Sequence, residues 1–155
     1  METTVDLAAV GRVAKRVELT GVRLAEIKAK CDPRVQGLLT PTVTLNCKIG
    51  RHDDATAEVV CDYTFVANSE EVQVIESTVQ YLLIYALAGA ESPSDSDLAE
   101  FAKANGALHS WPFVREVLYG LTSRMGYPPY TLPVMHFNQQ AAPPTPAPPN
   151  DAPPK

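Results

Sequence analysis

No stretch of this sequence is long and apolar enough to span a bilayer, so no membrane insertion is expected of it. Cysteine is scarce. Cys31, Cys47 and Cys61 are an odd number at wide spacings, which suits a reducing compartment better than a disulfide framework. Basic residues are outnumbered, with 13 Lys and Arg against 18 Asp and Glu and a formal charge of -5. A general nucleic-acid binder needs a basic face, so no nucleic-acid partner is expected. The deficit is uneven. Through Lys30 the bases Arg12, Lys15, Arg16, Arg23, Lys28 and Lys30 exceed the acids, and the remainder is acidic, which favours solubility and can steer basic partners. Met1 to Asp6 carries acids where a signal peptide needs a basic start and an apolar run, so the expected location is cytoplasmic.

Chemistry is missing too. There is no Cys-x-x-Cys, His-Glu-x-x-His, calcium-loop or glycine-rich phosphate pattern, and no Gly-x-Ser-x-Gly elbow. His52 beside Asp53 and Asp54 reads as a solvated hairpin tip. Ser110 after His109 reads as a helix cap and not as a nucleophile. Glu70, Glu71, Glu76, Asp95 and Asp97 fall in loops or caps. The expectation is a non-enzyme without metal or cofactor.

What is present is a globular pattern over 155 residues, 45% of them hydrophobic, the length of one domain. Four runs read as strands. The first lies roughly between Val10 and Lys30, with Gly21 interrupting the alternation as a bulge would, although Leu24, Ile27 and Lys28 also fit a basic helix. The second places Val43, Leu45, Cys47 and Ile49 on one face, and the third does the same with Ala57, Val59, Cys61, Tyr63 and Phe65. A short polar loop centred on Asp54 joins them as a hairpin. Cys47 and Cys61 are equidistant from that centre and should face each other, as inert buried thiols or as a cross-strand disulfide. After the loop Ala67–Glu71 comes the fourth run, Gln73 to Leu87. Its end, Tyr81 to Leu87, is apolar on both faces, as in a doubly covered strand or a subunit interface; a helix is the competing reading, and the β-branched and aromatic content favours strand.

Helical spacing then takes over. Asp97-Leu98-Ala99-Glu100 resembles a capping box opening a short helix that Asn105-Gly106 would end. A longer helix is expected from about Pro112 to Met125, capped by Ser110 and ended by Gly126. Its apolar stripe is Val114, Val117, Leu118, Leu121 and Met125. If that stripe is core, Leu121→Ala should cost about 2–5 kcal/mol. Tyr127 to Val134 is proline-broken and extended. From Ala141 to Lys155 the chain is nearly all proline, alanine and polar residues, so the expected organisation is a domain over 1–140 and a disordered proline-rich tail over 141–155. The fold class is α+β: a four-stranded antiparallel sheet followed by a short and a long helix.

One block is more specific. Trp111-Pro112-Phe113-Val114-Arg115-Glu116 resembles the aromatic-Pro-aromatic-x-Arg-Glu entry to the long helix of the SecB family of bacterial protein-export chaperones. Ser123-Arg124-Met125-Gly126-Tyr127-Pro128, then Leu132-Pro133-Val134 and Phe137, is similar to that family's Ser-Arg-Gly-x-Phe-Pro and Pro-Val-x-Phe stretches. The resemblance implies a homotetramer, a dimer of dimers. It also implies an ATP-independent holdase that binds unfolded polypeptide clients in exposed apolar grooves, for protein export. The groove candidates are Leu38, Leu39, Val43, Leu45, Tyr127, Tyr130, Leu132 and Val134, with Leu38, Leu39, Tyr127 and Tyr130 favoured because they lie in irregular segments. The subunit-interface candidates are Tyr81, Leu83, Tyr85, Val114, Val117, Leu118 and Leu121.

Export chaperones of the family dock the motor SecA through acids on the outer sheet face. The corresponding positions here are Gly21, Ala25, Glu76 and Thr78, mostly not acidic, and Asn138-Gln139-Gln140 cuts the family's last helix short. The partner beyond clients is therefore SecA or, in an alternative reading, the antitoxin of a toxin–antitoxin pair. A reading of another class is a small-ligand-binding α+β domain.

Overall fold

The computed structural model describes residues 5–35, 37–89 and 92–135. The expected tail, Phe137 and the short last-helix segment lie outside them. The described chain is an antiparallel sheet with helices on one face. Its elements are α1 (Leu7–Ala14), β1 (Val17–Cys31), β2 (Thr40–His52), β3 (Thr56–Ser69), β4 (Val72–Leu87), α2 (Asp95–Phe101) and α3 (Ala107–Arg124). The strand order is β1-β4-β3-β2, which leaves β1 and β2 as edges among the described residues.

α1 corrects the expected first strand, whose beginning is helical. Asp6 caps it, its carboxylate accepting from the backbone of Ala8 and Ala9 at 2.9 and 3.2 Å. Ala9 and Val13, four apart on α1, are buried, as is Val5 just before the helix, and Val13 joins the core cluster. Arg12 holds α1 to α2 through a two-point pair with Asp97, at 2.9 and 2.6 Å.

The strands follow the alternation. β3 buries Ala57, Val59, Cys61, Tyr63, Phe65 and Ala67 on its inner face. The register shifts at Leu19/Gly21 and again at Leu24/Glu26, so the expected interruption at Gly21 is the first of two bulges in β1. The Asp53 carboxylate closes the β2–β3 turn by accepting from the backbone of Ala55 and Thr56 at 2.8 and 2.7 Å. The loop expected at Ala67–Glu71 contracts to a two-residue turn, because Asn68 and Ser69 stay paired with Gln73 and Val72.

The helical layer departs further from expectation. Ser94, not Asp97, caps α2, its hydroxyl accepting from the Asp97 backbone at 3.2 Å. Glu100 instead accepts from the backbone of Asp6 at 2.9 Å. Asn105-Gly106 ends nothing: one π turn, Ala102–Gly106, joins α2 to α3. Gly106 is required by close approach. A Cβ there would lie 2.8 Å from Val59 Cγ1 and 3.0 Å from Cys61 Sγ. Ser110 is a buried interior residue and not a cap. Its hydroxyl donates to the Gly106 carbonyl at 2.6 Å, which leaves it to accept from the Tyr63 hydroxyl, also at 2.6 Å. Leu118 is fully buried and Leu121 only half so, which moves the expected cost of truncation to Leu118. Gly126, at φ 83°, ends α3 as expected, with Tyr127 N–H reaching the Thr122 carbonyl and Gly126 N–H that of Ser123.

Candidate functional site

Beyond Gly126 the chain turns back along α3 in extended form. Its backbone N–H at Tyr130 donates to the Thr122 hydroxyl at 2.8 Å. The Trp111 indole N–H donates to the Pro133 carbonyl at 2.9 Å. These bonds lay an irregular segment over the inner sheet face where no helix covers it. On the other side lies the connection from β1 to β2. Asp32 and Arg34 pair there at 2.8 Å, and the Arg34 guanidinium holds the Asp32 carboxyl down at about 2. The Tyr127 hydroxyl reaches the carbonyls of Asp32 at 2.7 Å and Val35 at 3.0 Å, tying the two segments together. Its own ionisation is pushed upward, chiefly by desolvation.

Between them is a cavity of about 290 Å³ lined by Leu38, Leu39, Pro41, Phe65, Tyr127 and Tyr130, with Ala67 and Ile75 at its floor. Tyr130 packs on Phe65 with ring centroids 5.0 Å apart. Leu38 stands at the edge, 90% exposed. The lining is mostly apolar, with hydroxyls from Thr122, Thr131, Tyr127 and Tyr130 and no carboxylate, amine, imidazole or thiol. Among the described residues no cluster of His, Cys, Asp and Glu could hold a metal.

Leu38, Leu39, Tyr127 and Tyr130, the four favoured groove candidates, meet in this cavity. The others do not join them. Val43 and Leu45 are half-buried on β2 outside the lining. Val134 is 67% exposed but also outside it. Leu132, 1% exposed, is a core residue, its side chain turned inward as the extended segment crosses the sheet. Phe65, Ile75 and Pro41 were missed. Phe65 reads as ordinary strand core, and nothing in its alternation reveals that the cover above it is incomplete.

The interface candidates divide similarly. Tyr81, Leu83, Tyr85, Val114 and Leu118 are buried within one chain, which withholds their side chains from a second. Val117 and Leu121 remain partly accessible. Leu19, Leu24 and Ile27 are exposed, and they sit opposite Tyr85, Tyr81 and Val79 on the inner face of edge strand β1. Elsewhere in the helical layer, burial pushes the His109 imidazole below its usual value, and its Nδ1 lies 2.9 Å from the Tyr85 hydroxyl.

No family model matches the chain. Curated relatives do. The SecB-like chaperone Rv1957 of Mycobacterium tuberculosis strain H37Rv is 24% identical over 152 residues, covering 84% of each chain. The SecB-like chaperone MT2006 of strain CDC 1551 matches with the same identity and coverage. The solved structure of Rv1957 with a ChAD peptide from the Rv1956 HigA1 antitoxin superposes with a TM-score of 0.77, at 20% identity, covering 84% of this chain and all of that one. The chain resembles the SecB-like chaperones in sequence and has their fold. The SecB-like resemblance read from the Trp111–Glu116 block is matched by similarity over 84% of the chain. No helix among the described residues is long and apolar enough to cross a membrane.

Proposed function

We propose that this chain is a SecB-like holdase that binds non-native polypeptides without nucleotide and without catalysis. The observation that carries the reading is the largely apolar cavity between Leu38-Leu39 and Tyr127–Tyr130, edged by the exposed side chain of Leu38. An extended client can bury such surface at about 25 cal/mol per Å², and many weak contacts of this kind select for unfoldedness over sequence. The cavity and its apolar neighbours, among them Val134, form the client surface. Leu19, Leu24 and Ile27 on β1, with Val117 and Leu121 on α3, supply the apolar area for assembly into a homotetramer. Its place is the cytoplasm.

A dedicated antitoxin client is the second reading, and it is favoured over SecA docking. The superposed relative holds an antitoxin peptide, whereas of Gly21, Ala25, Glu76 and Thr78 only Glu76 is acidic, and it is paired with Lys30 at 2.8 Å. A small-ligand role has only hydroxyls, and no charged group, to orient a ligand in the cavity.

The test is aggregation of a denatured protein, followed with and without the full chain and in the absence of ATP, alongside native mass spectrometry. The expected result is suppression at near-stoichiometric ratio by a tetramer. The double variant Leu38→Asp, Leu39→Asp should bind at least about tenfold more weakly, or ~1.4 kcal/mol. A folded tetramer that suppresses nothing would sink the reading. Titration with an antitoxin-derived peptide and with SecA separates the two partners.

A further inference from the structure

Cys47 and Cys61 play no part in the proposed binding surface. They stand directly opposite each other across β2 and β3, fourteen positions apart in sequence, on the inner face. Both are buried, both are free thiols, and the two sulfurs are in contact. Directly opposed residues of an antiparallel pair have Cα atoms about 4.5–5.5 Å apart, within the span that a disulfide bridges. The backbone is therefore already placed for a bond that the thiols have not formed.

We propose that Cys47 and Cys61 are a reversible cross-strand disulfide site, closed by a small-molecule disulfide such as oxidised glutathione and reopened by a dithiol. In closure, one cysteine gives up its proton and its thiolate attacks the glutathione disulfide. One glutathione thiolate leaves, takes up a proton, and a mixed disulfide remains. The second cysteine then loses its proton and attacks the protein-bound sulfur, expelling the second glutathione as a thiol. Two protein thiols are oxidised to one disulfide, one small-molecule disulfide is reduced to two thiols, and protons balance.

The same structure controls the rate. Gly106 and the π turn lie directly on the pair, with a hypothetical Gly106 Cβ only 3.0 Å from Cys61 Sγ and 3.1 Å from Cys47 Cβ. The hydrogen bond to the Cys61 sulfur, and then burial, push the Cys47 thiol upward, so the packed molecule offers little thiolate to an oxidant. Exchange therefore proceeds through opening of the turn Ala102–Gly106, or before α2 and α3 settle on the sheet. The product ties edge strand β2 to β3. Cys31, half-buried on β1, is opposed by Ile75 and has no cysteine partner, so it serves as an internal control.

The test uses the full chain, equilibrated in glutathione buffers of graded poise, acid-quenched, alkylated and digested for mass spectrometry. One arm stays native, and a second is cycled through urea and refolded in the same buffer. The expected product is a peptide pair linked through Cys47 and Cys61. It should rise with the oxidised share, vanish with dithiothreitol and form several-fold faster in sub-denaturing urea, while Cys31 carries only a glutathione adduct. In Cys61→Ala, Cys47 should accumulate the adduct in place of the link. Free or singly adducted Cys47 and Cys61 in the refolded arm at the most oxidising poise would overturn the site. A rate indifferent to urea would overturn the role of the turn.

Discussion

The two ends of the inner sheet face carry the same alternation and are covered in opposite ways. At one end Phe101 stands edge-on to Tyr85, ring centroids 5.1 Å apart, and Leu98, Val13 and the π turn complete the seal. At the other, Phe65, Ala67 and Ile75 are roofed by proline-broken backbone held by a few hydrogen bonds, and a cavity remains. Regular helix interlocks side chains with the strands below. An extended segment supplies fewer apolar side chains per length and leaves space that its own residues do not fill. The sealed end supplies stability and the roofed end supplies surface.

The comparison breaks first at the sealed end. Phe101→Ala removes a fully buried ring and should cost about 3–5 kcal/mol in urea unfolding. An equal loss from Tyr130→Ala, a half-buried residue of the cavity, would erase the distinction. Gly106→Ala should cost about 1–3 kcal/mol by overpacking against Val59, since a valine methyl has little room to yield. A neutral outcome would mean that the π turn lifts freely. At the roofed end, Tyr127→Phe removes the hydroxyl that bridges two carbonyls and should lower the urea midpoint by less than either change at the sealed end. Hydrogen exchange should quicken in the 32–39 connection while the helix α3 stays protected. The smallest effect is of pH. His109 is held below its ordinary value when folded, so the unfolded chain takes up the proton first. Stability is therefore complete above about pH 6.5 and declines as pH falls through the window between that value and the lower folded one. His109→Gln should flatten that slope in a series of urea midpoints, and an unchanged slope would remove His109 as its source.

The strands were legible because alternation is a local signal. β2 and β3 read off their apolar positions, and the opposition of Cys47 and Cys61 followed from counting outward from Asp54. The helical layer was less so. α1 buries only Ala9 and Val13, and Ala8 and Gly11 beside them leave a faint stripe next to the clear alternation that follows. Asn105-Gly106 has the composition of a helix stop, yet the glycine is there for sheet contact. Ser110 has the composition of a cap, yet it pairs with Tyr63 from another element. Both functions depend on what lies across the layer, which no window of sequence contains. The cavity was half legible: irregular apolar residues pointed to Leu38, Leu39, Tyr127 and Tyr130, while the strand residues beneath looked like any core.

The two bulges of β1 have a consequence for crowding. An unpaired strand edge is a template on which other chains can stack without limit. Breaks at Leu19/Gly21 and Leu24/Glu26 divide that edge into short straight runs with a changed twist between them. A second subunit shaped to the same twist can still meet it, whereas an arbitrary extended chain can zip along only a fragment before losing step. For a protein whose proposed work is to gather sticky polypeptides, the interrupted edge is a safeguard against becoming the seed of the aggregate it holds apart.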